Sequence, residues 1–395
     1  MVTRSVIGIP FIVFVVITPQ IQAPDPGLAD RRVVASRVYE LVQQYFVHWE
    51  GAPRADVDAA YRKYVEAVSV GGDRRAFDLA TLRFMAALHN GHTQFFDDRA
   101  DGRPLKFRLL EIENHWVVIN SQDSALPRGS IVQTLNGRPV DDVVRELAQY
   151  VSASNERLAR THVFSYPVLF PERISVGLTT GKDIVIDRSL RPEVPDLVPD
   201  GQSDGRWLEE PKNAYLRVPS FGNPIFERTA VEFVQRFASA STLIVDVRGN
   251  GGGTTPGQLI EALMNRPWRS WQQIAPERPS REQAAAESAY RGRLFILVDR
   301  FCGSACEDFV MPFRENHRAV VIGERTQGSS GNPYRADLGD GMRVAIGAVR
   351  YRFPDGRRFE GIGIDPDVLV DLRIADLQSG RDTVLERARE LATAK

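Results

Sequence analysis

The sequence predicts a mixed α/β fold: a largely parallel sheet core with flanking helices, preceded by a helical N-terminal region and a β-rich domain. Three observations carry this expectation. Between residues 213 and 325, apolar strand-like runs alternate with amphipathic helical patterns, and that alternation requires parallel strands joined by crossovers. Residues 104–190 instead show short strands separated by hairpin-type turns. Residues 28–90 place apolar side chains at helical spacing.

Length and composition agree with such a fold. A chain of 395 residues suggests two or three domains at roughly 150 residues each. It is 43% hydrophobic and 26% charged, enough for a sizeable core. The 50 basic and 51 acidic residues leave a net charge of -1. That balance lacks the basic excess of a nucleic-acid binder and the acidic excess of a solvating protein.

At the N-terminus, Arg4 precedes an apolar run from Val6 to Ile17, and Ile21-Gln22-Ala23 offers a small-residue cleavage site. We read residues 1–23 as a signal peptide and expect an exported, periplasmic or extracellular protein; the competing reading is a buried strand of the mature fold. No cysteine follows the run to carry a lipid. No later segment is apolar over the roughly 18 residues a membrane span needs, so no stable membrane insertion is expected after the signal is removed.

Residues 24–100 form the expected helical region. Val34, Val38, Leu41, Val42 and Tyr45 share one face, as do Val57, Tyr61, Tyr64, Val65 and Val68. A third helix opens at Asp73, a suitable N-cap, with Ala76, Ala80, Phe84 and Leu88 on its stripe. Asn90-Gly91 supplies a stop because both tolerate the left-handed conformation of a helix end, which leaves His92 on a short rigid turn.

Residues 101–195 form the β-rich domain. Trp116–Ile119 and Ser130–Leu135 read as strands, the second ending at Asn136-Gly137. A helix capped by Asp141 or Asp142 follows, then a hairpin of 173–179 with 182–188. Leu190 to Gly205 is rich in Pro, Asp and Gly and reads as a linker.

Residues 205–375 form the α/β core. Strands are expected at Ala214–Val218, Leu243–Val247, Leu294–Val298 and Ala319–Ile322, with helices at Ile225–Phe237, Pro256–Met264 and Ser304–Arg314 between them. Val344 to Arg358 reads as a hairpin around Pro354-Asp355-Gly356, and 376–395 as a C-terminal helix.

Two segments of the core can carry chemistry. Asp246 to Gly253 places a glycine cluster between a buried strand and a helix, exposing N–H groups that suit an anion or a developing oxyanion. A dinucleotide loop needs a third glycine where Thr254 stands, and no lysine nearby suggests a phosphate loop; a plain tight turn is the other alternative. Phe301 to Glu307 places Ser304 at a strand-to-helix turn, where it serves either as an N-cap or as an exposed nucleophile beside the Ala305 N–H.

A nucleophilic serine needs a base. The only histidine after Ser304 is His317, and no lysine lies between Ser304 and Lys395. The base must come from upstream, and His92 is the best placed. On its own His92 reads equally well as a packing or solvent-exposed residue. His89 and His92 lack a third nearby ligand, so no metal and no cofactor are expected. Cys302 and Cys306, four apart at a helix start, read as small packing residues.

The segments Asn90-Gly91-His92-Thr93, Asp246 to Gly253, Gly303-Ser304-Ala305 with Glu307, Arg318 to Gly328 and Glu360 to Val368 occur in that order. Together they resemble the tail-specific, C-terminal-processing serine peptidases, within them the tricorn-core and interphotoreceptor-retinoid-binding-protein branch. The resemblance covers about residues 85–372. It implies Ser304 as nucleophile, His92 as base and Glu360 as the acid that orients it. It implies an oxyanion hole from the N–H of Ala305 and one of the glycine loop, Gly252 first and Gly251 as the alternate. Gly129 to Val140 likewise resembles the end of a PDZ domain of bacterial exported proteases, which makes the 101–195 domain PDZ-like. Gly91 stands where the tricorn core has a serine beside its histidine. Ser329 and Ser330 occupy the loop that carries a lysine in the processing-peptidase branch.

The expected function is therefore an exported serine endopeptidase acting on peptides or unfolded protein tails. The alternative is a non-catalytic ligand-binding module on the same fold.

Overall fold

The structure is a computed structural model that describes residues 28–100, 102–192 and 202–393. The signal-peptide reading of residues 1–23 and much of the 190–205 linker lie outside the described residues. Among the described residues, no helix is long and apolar enough to cross a membrane.

The fold is mixed α/β. Its central sheet runs in the order 368–369, 320–323, 293–298, 242–246, 213–217, 204–209. All neighbours are parallel except the last pair. The strand Thr242–Asp246 is buried along its whole length, which is why it reads as a continuous apolar run. Side chains alternate across the sheet. Leu243, Val245, Leu294 and Ile296 pack with helices Pro224–Arg236, Gly257–Leu263 and Ala305–Glu315, while Ile244, Phe295, Leu297 and Ile322 pack with Val384 and Ala388 of the last helix.

The β-rich unit is an antiparallel sheet ordered 107–112, 115–121, 131–135, 173–178, 183–187. Asn136 and Gly137 both take positive φ, as a tight hairpin requires. Asp141 and Asp142 lie in the first turn of helix Val140–Leu147, whose N-cap is Pro139; they favour the positive helix end without capping it. A short helix, Glu156–His162, capped by Asn155, was not expected from the sequence.

The N-terminal region is the expected three helices, Leu28–Tyr45, Arg54–Ser69 and Arg74–Ala86. The third is capped by Asp73, whose side chain accepts from the Ala76 N–H. Its buried stripe is Phe77, Thr81, Phe84, Met85 and Leu88, and Ala76 is exposed; the stripe is rotated by one residue toward the bulkier side chains, which gain more from burial.

One sheet joins the two ends of the chain. Gln94–Asp97 pairs with Met342–Gly347, which pairs with Pro333–Gly339. Phe95, Val344 and Ile346 of this sheet are buried with Phe84, Met85 and Leu88. The expected 344–358 hairpin is thus corrected. Met342–Gly347 pairs instead with strands on either side, and only the turn around Pro354-Asp355-Gly356 folds back locally. Because Gln94 is tied to Ala345, the turn carrying His92 is delivered to the edge of the central core.

Candidate active site

The glycine loop 249–253 and Ser304 follow adjacent parallel strands, 242–246 and 293–298. They therefore meet at the carboxyl edge of the sheet, where α/β folds place their ligands. Asp246 fixes the loop's start. Its buried carboxylate accepts from Tyr215 at 2.7 Å and from Arg248 at 2.6 Å, and these donors offset the cost of burying a charge.

Ser304 has φ 55° and ψ −125° and makes no side-chain cap bond to its helix. The N-cap reading is therefore not what the structure contains. A non-glycine residue at positive φ is strained, and here the strain turns the hydroxyl out of the helix axis. Cys302 and Cys306 bracket it and are joined by a disulfide, which corrects the reading of both as free packing residues. Cys302 precedes the sharp turn rather than lying on the helix, so the two Cα atoms stand 5.4 Å apart, within bridging range.

His92 reaches this hydroxyl. Its Nε2 lies 3.0 Å from Ser304 Oγ and its Nδ1 lies 3.0 Å from Ser329 Oγ. The left-handed residue that ends the preceding helix is His89, at φ 46°, not Asn90 or Gly91. Asn90 is fully buried. Its Oδ1 accepts the His92 N–H and the Thr93 hydroxyl, and its amide donates to Glu360 Oε1 at 2.8 Å. Gly91 is required for space: a Cβ there would stand 2.7 Å from Ser329 Oγ.

Glu360 does not touch His92. Its Oε1 accepts from Asn90 and from Ser154 Oγ at 2.5 Å, while its Oε2 has no hydrogen-bond partner. Ser154 in turn accepts the Gly91 N–H. The carboxylate is thus linked to the histidine turn through Asn90 and Ser154, while Ser329 Oγ separately holds Nδ1. Burial pushes Glu360 up to about 7, partly offset by Ser154, the Ser330 N–H, Asn90 and Ser329. The last-named hydroxyl and the Ser330 N–H fall outside hydrogen-bond geometry. Burial, and then the charge of Arg335, lowers His92 to about 4, so the imidazole is neutral at neutral pH.

Glu307 shapes the loop that supplies Ser329. Its buried carboxylate accepts from the Thr326 hydroxyl and from the Gly328 and Ser329 N–H groups. The Ser329 carbonyl then accepts the Ser304 N–H at 2.8 Å.

Two backbone donors remain open beside Ser304. The Ala305 N–H, first in its helix, has no intrahelical acceptor. Gly252 packs so tightly that a Cβ would stand 2.7 Å from Ser304 Cβ, but its own N–H donates to Asn250 Oδ1 at 2.9 Å. Gly251 lines the cleft and its N–H has no acceptor among the described residues, so the alternate of the two glycines has the free donor.

The cleft over Ser304 and His92 measures about 670 Å³. A second cavity, about 760 Å³, is lined by Ser154 and Glu360 but by neither Ser304 nor His92. Sequence reasoning missed Ser154 and the bonding of Asn90, and named Ser329 only by its loop, without its contact to His92. Asn90 had a signal, its place directly before Gly91-His92; Ser154 had none beyond lying in a loop.

A strained serine hydrogen-bonded to a neutral histidine at the carboxyl edge of a parallel sheet is an arrangement suited to nucleophilic catalysis. Residues 212–370 match the model of Peptidase family S41. The chain is similar to the chloroplastic C-terminal processing peptidase of Tetradesmus obliquus, 30% identical over 165 residues, which cover 40% of this chain and 35% of that protein. It is similar to the tricorn protease of Thermoplasma acidophilum, 30% identical over 181 residues, 44% of this chain and 16% of that one. The chain thus spans well under two thirds of the length of these relatives. Its fold is similar to that of mature CPAF complexed with lactacystin, with a TM-score of 0.75 at 12% identity over 92% of this chain and 98% of that one.

Proposed function

We propose that the chain is an exported serine endopeptidase that hydrolyses peptide bonds in peptides or unfolded protein tails. The observation that carries this reading is the 3.0 Å contact between Ser304 Oγ and His92 Nε2 at a strained turn with open backbone donors. Ser304 Oγ attacks the scissile carbonyl carbon while His92 Nε2 takes its proton. The resulting oxyanion accepts from the N–H groups of Ala305 and Gly251. His92 then returns the proton to the leaving amine, and water releases the acyl group by the same route. Glu360 acts at one remove, holding the His92 turn through Asn90 and Ser154 and favouring the imidazolium by its charge, while Ser329 Oγ accepts from Nδ1–H and holds that tautomer.

The test is labelling with a serine-directed fluorophosphonate and mapping of the modified peptide. One adduct on Ser304, absent from Ser304→Ala, is expected. Equal labelling of that variant would place the nucleophile elsewhere, and no labelling of the unmutated chain would favour a binding-only role.

The role given to Glu360 predicts a pH dependence. Its carboxyl is raised to about 7, so the charged form that supports the imidazolium accumulates as pH rises through 7, and kcat/KM should rise with it. Glu360→Gln keeps the shape and removes the charge. It should lose about 10²-fold, the lower range of acid–base catalysis, and lose the step near 7. A step that persists in that variant belongs to another group.

By the same reading, residues 1–23 are the export signal, 101–195 a PDZ-like domain that holds substrate, 205–375 the peptidase core and 376–395 a C-terminal helical segment. N-terminal sequencing of the exported protein tests the first of these; an intact Met1 would exclude cleavage.

A further inference from the structure

The cleft contains one cation for which the proposed chemistry has no use. Arg335 lies on the strand Pro333–Gly339, opposite Ala345, and Ala345 lies opposite Gln94. Residues paired across antiparallel strands point to the same face. Gln94, Ala345 and Arg335 therefore form one row, and all three line the cleft with Ser304 and His92. Tyr334, Ala336 and Leu338, on the other face, pack against the N-terminal helices. Strand spacing puts Arg335 roughly 10 Å across the sheet from Gln94, two residues beyond His92, and its long side chain reaches back toward the imidazole.

Arg335 is exposed to the cleft, and no carboxylate among the described residues pairs with it. The acid nearest along its own face, Asp337, accepts the Gly339 N–H. Asp308, the carboxylate lining the same cleft, is saturated by Thr255, Trp271 and Ser330. The neighbouring Arg343, by contrast, has Asp98 as its partner. An arginine that faces a reaction centre and lacks an internal partner is suited to a planar carboxylate brought by a ligand.

We propose that Arg335 is a specificity-determining residue that pairs with a carboxylate of the bound peptide, so that cleavage favours substrates presenting an acidic group beside the scissile bond. This deepens the peptidase reading and rests on it. The carboxylate has two sources, an Asp or Glu side chain or the free C-terminus of a short peptide. In either case its arrival also neutralises the charge that disfavours the His92 imidazolium, so the right substrate strengthens the base.

The test uses matched peptides on the full chain. In one series Asp, Ala or Lys is scanned through the positions flanking a mapped cleavage site, with the C-terminus amidated. In the other an all-neutral peptide carries a free or an amidated C-terminus. Wild-type kcat/KM should favour the carboxylate of one series about 10- to 100-fold, the range of a charge-assisted hydrogen bond. Arg335→Gln should abolish that preference, and its kcat/KM toward neutral peptides should hold or rise, since the charge that disfavours the His92 imidazolium is gone. Arg335→Glu should invert it toward Lys, which a merely structural role would not do. If Ser304-dependent cleavage is present but indifferent to both carboxylates, or if Arg335→Gln keeps the preference, the proposal fails and the peptidase reading stands. If no peptide is cleaved in a Ser304-dependent way, the reading beneath it fails and the proposal with it.

Discussion

Ser304→Ala is expected to remove about 10⁴- to 10⁶-fold of peptide-bond hydrolysis, the range over which nucleophile and base act as one unit, while the fold survives. The survival follows from the contacts. Ser304 Oγ caps no helix and is hydrogen-bonded to His92, so its loss leaves no buried donor stranded. The backbone strain at φ 55° is the same for serine and alanine, since both carry a Cβ. The measurement is cleavage of a denatured polypeptide alongside thermal melting. Undiminished cleavage by a well-folded variant sinks the nucleophile assignment; an unfolded variant moves the decision to fluorophosphonate mapping on the unmutated chain. The residual rate should not fall to zero, because Ala305 and Gly251 still offer an oxyanion site.

The central strands were legible because burial on both faces makes them mostly apolar runs. Leu243 to Val247 and Leu294 to Val298 could hardly be read otherwise. The sheet that joins Gln94–Asp97 to Met342–Gly347 was not legible. Its partners are separated by about 250 residues in the chain, and periodicity reports only local spacing. That unread pairing is nevertheless the element that carries His92 to Ser304. Helix Glu156–His162 was invisible for a different reason. It is seven residues long, too short to show an amphipathic stripe, and is fixed by the Asn155 cap and tertiary packing.

In the site, Ser304 and His92, the groups proposed to react, were legible from residue type and motif order, and the hydrogen bonds around them were not. Ser154 and Ser329 lie in loops far apart in sequence, and a loop serine carries no periodic signal. Gly91 reads as the loss of a hydroxyl beside the histidine. In three dimensions that volume is already filled, since a Cβ there would meet Ser329 Oγ at 2.7 Å. The hydroxyl next to His92 is supplied by another segment, and the glycine makes room for it. The disulfide was hidden by a similar error of context. Four-residue spacing on a helix argues against a bridge, but the turn at Ser304 takes Cys302 off the helix.

His92→Ala should cost nearly as much as the loss of Ser304, and the two changes should not add. With the imidazole gone, Ser304 retains its hydroxyl proton, and water is too weak a base near pH 7 to take it during attack. The double variant Ser304→Ala/His92→Ala is therefore expected to resemble either single one, as for residues that act in the same step. The cleft provides its own control. His162 lines it too, and burial lowers its titration to about 4 just as for His92, but it makes no hydrogen bond to Ser304. If position rather than titration makes the base, His162→Ala must fall far less than His92→Ala. Near-normal turnover in His92→Ala, or the reverse order of the two histidines, would mean that the 3.0 Å contact is not the one used. The comparison is best made on kcat at saturating substrate. There, loss of a proton acceptor appears in full and changes in peptide affinity drop out.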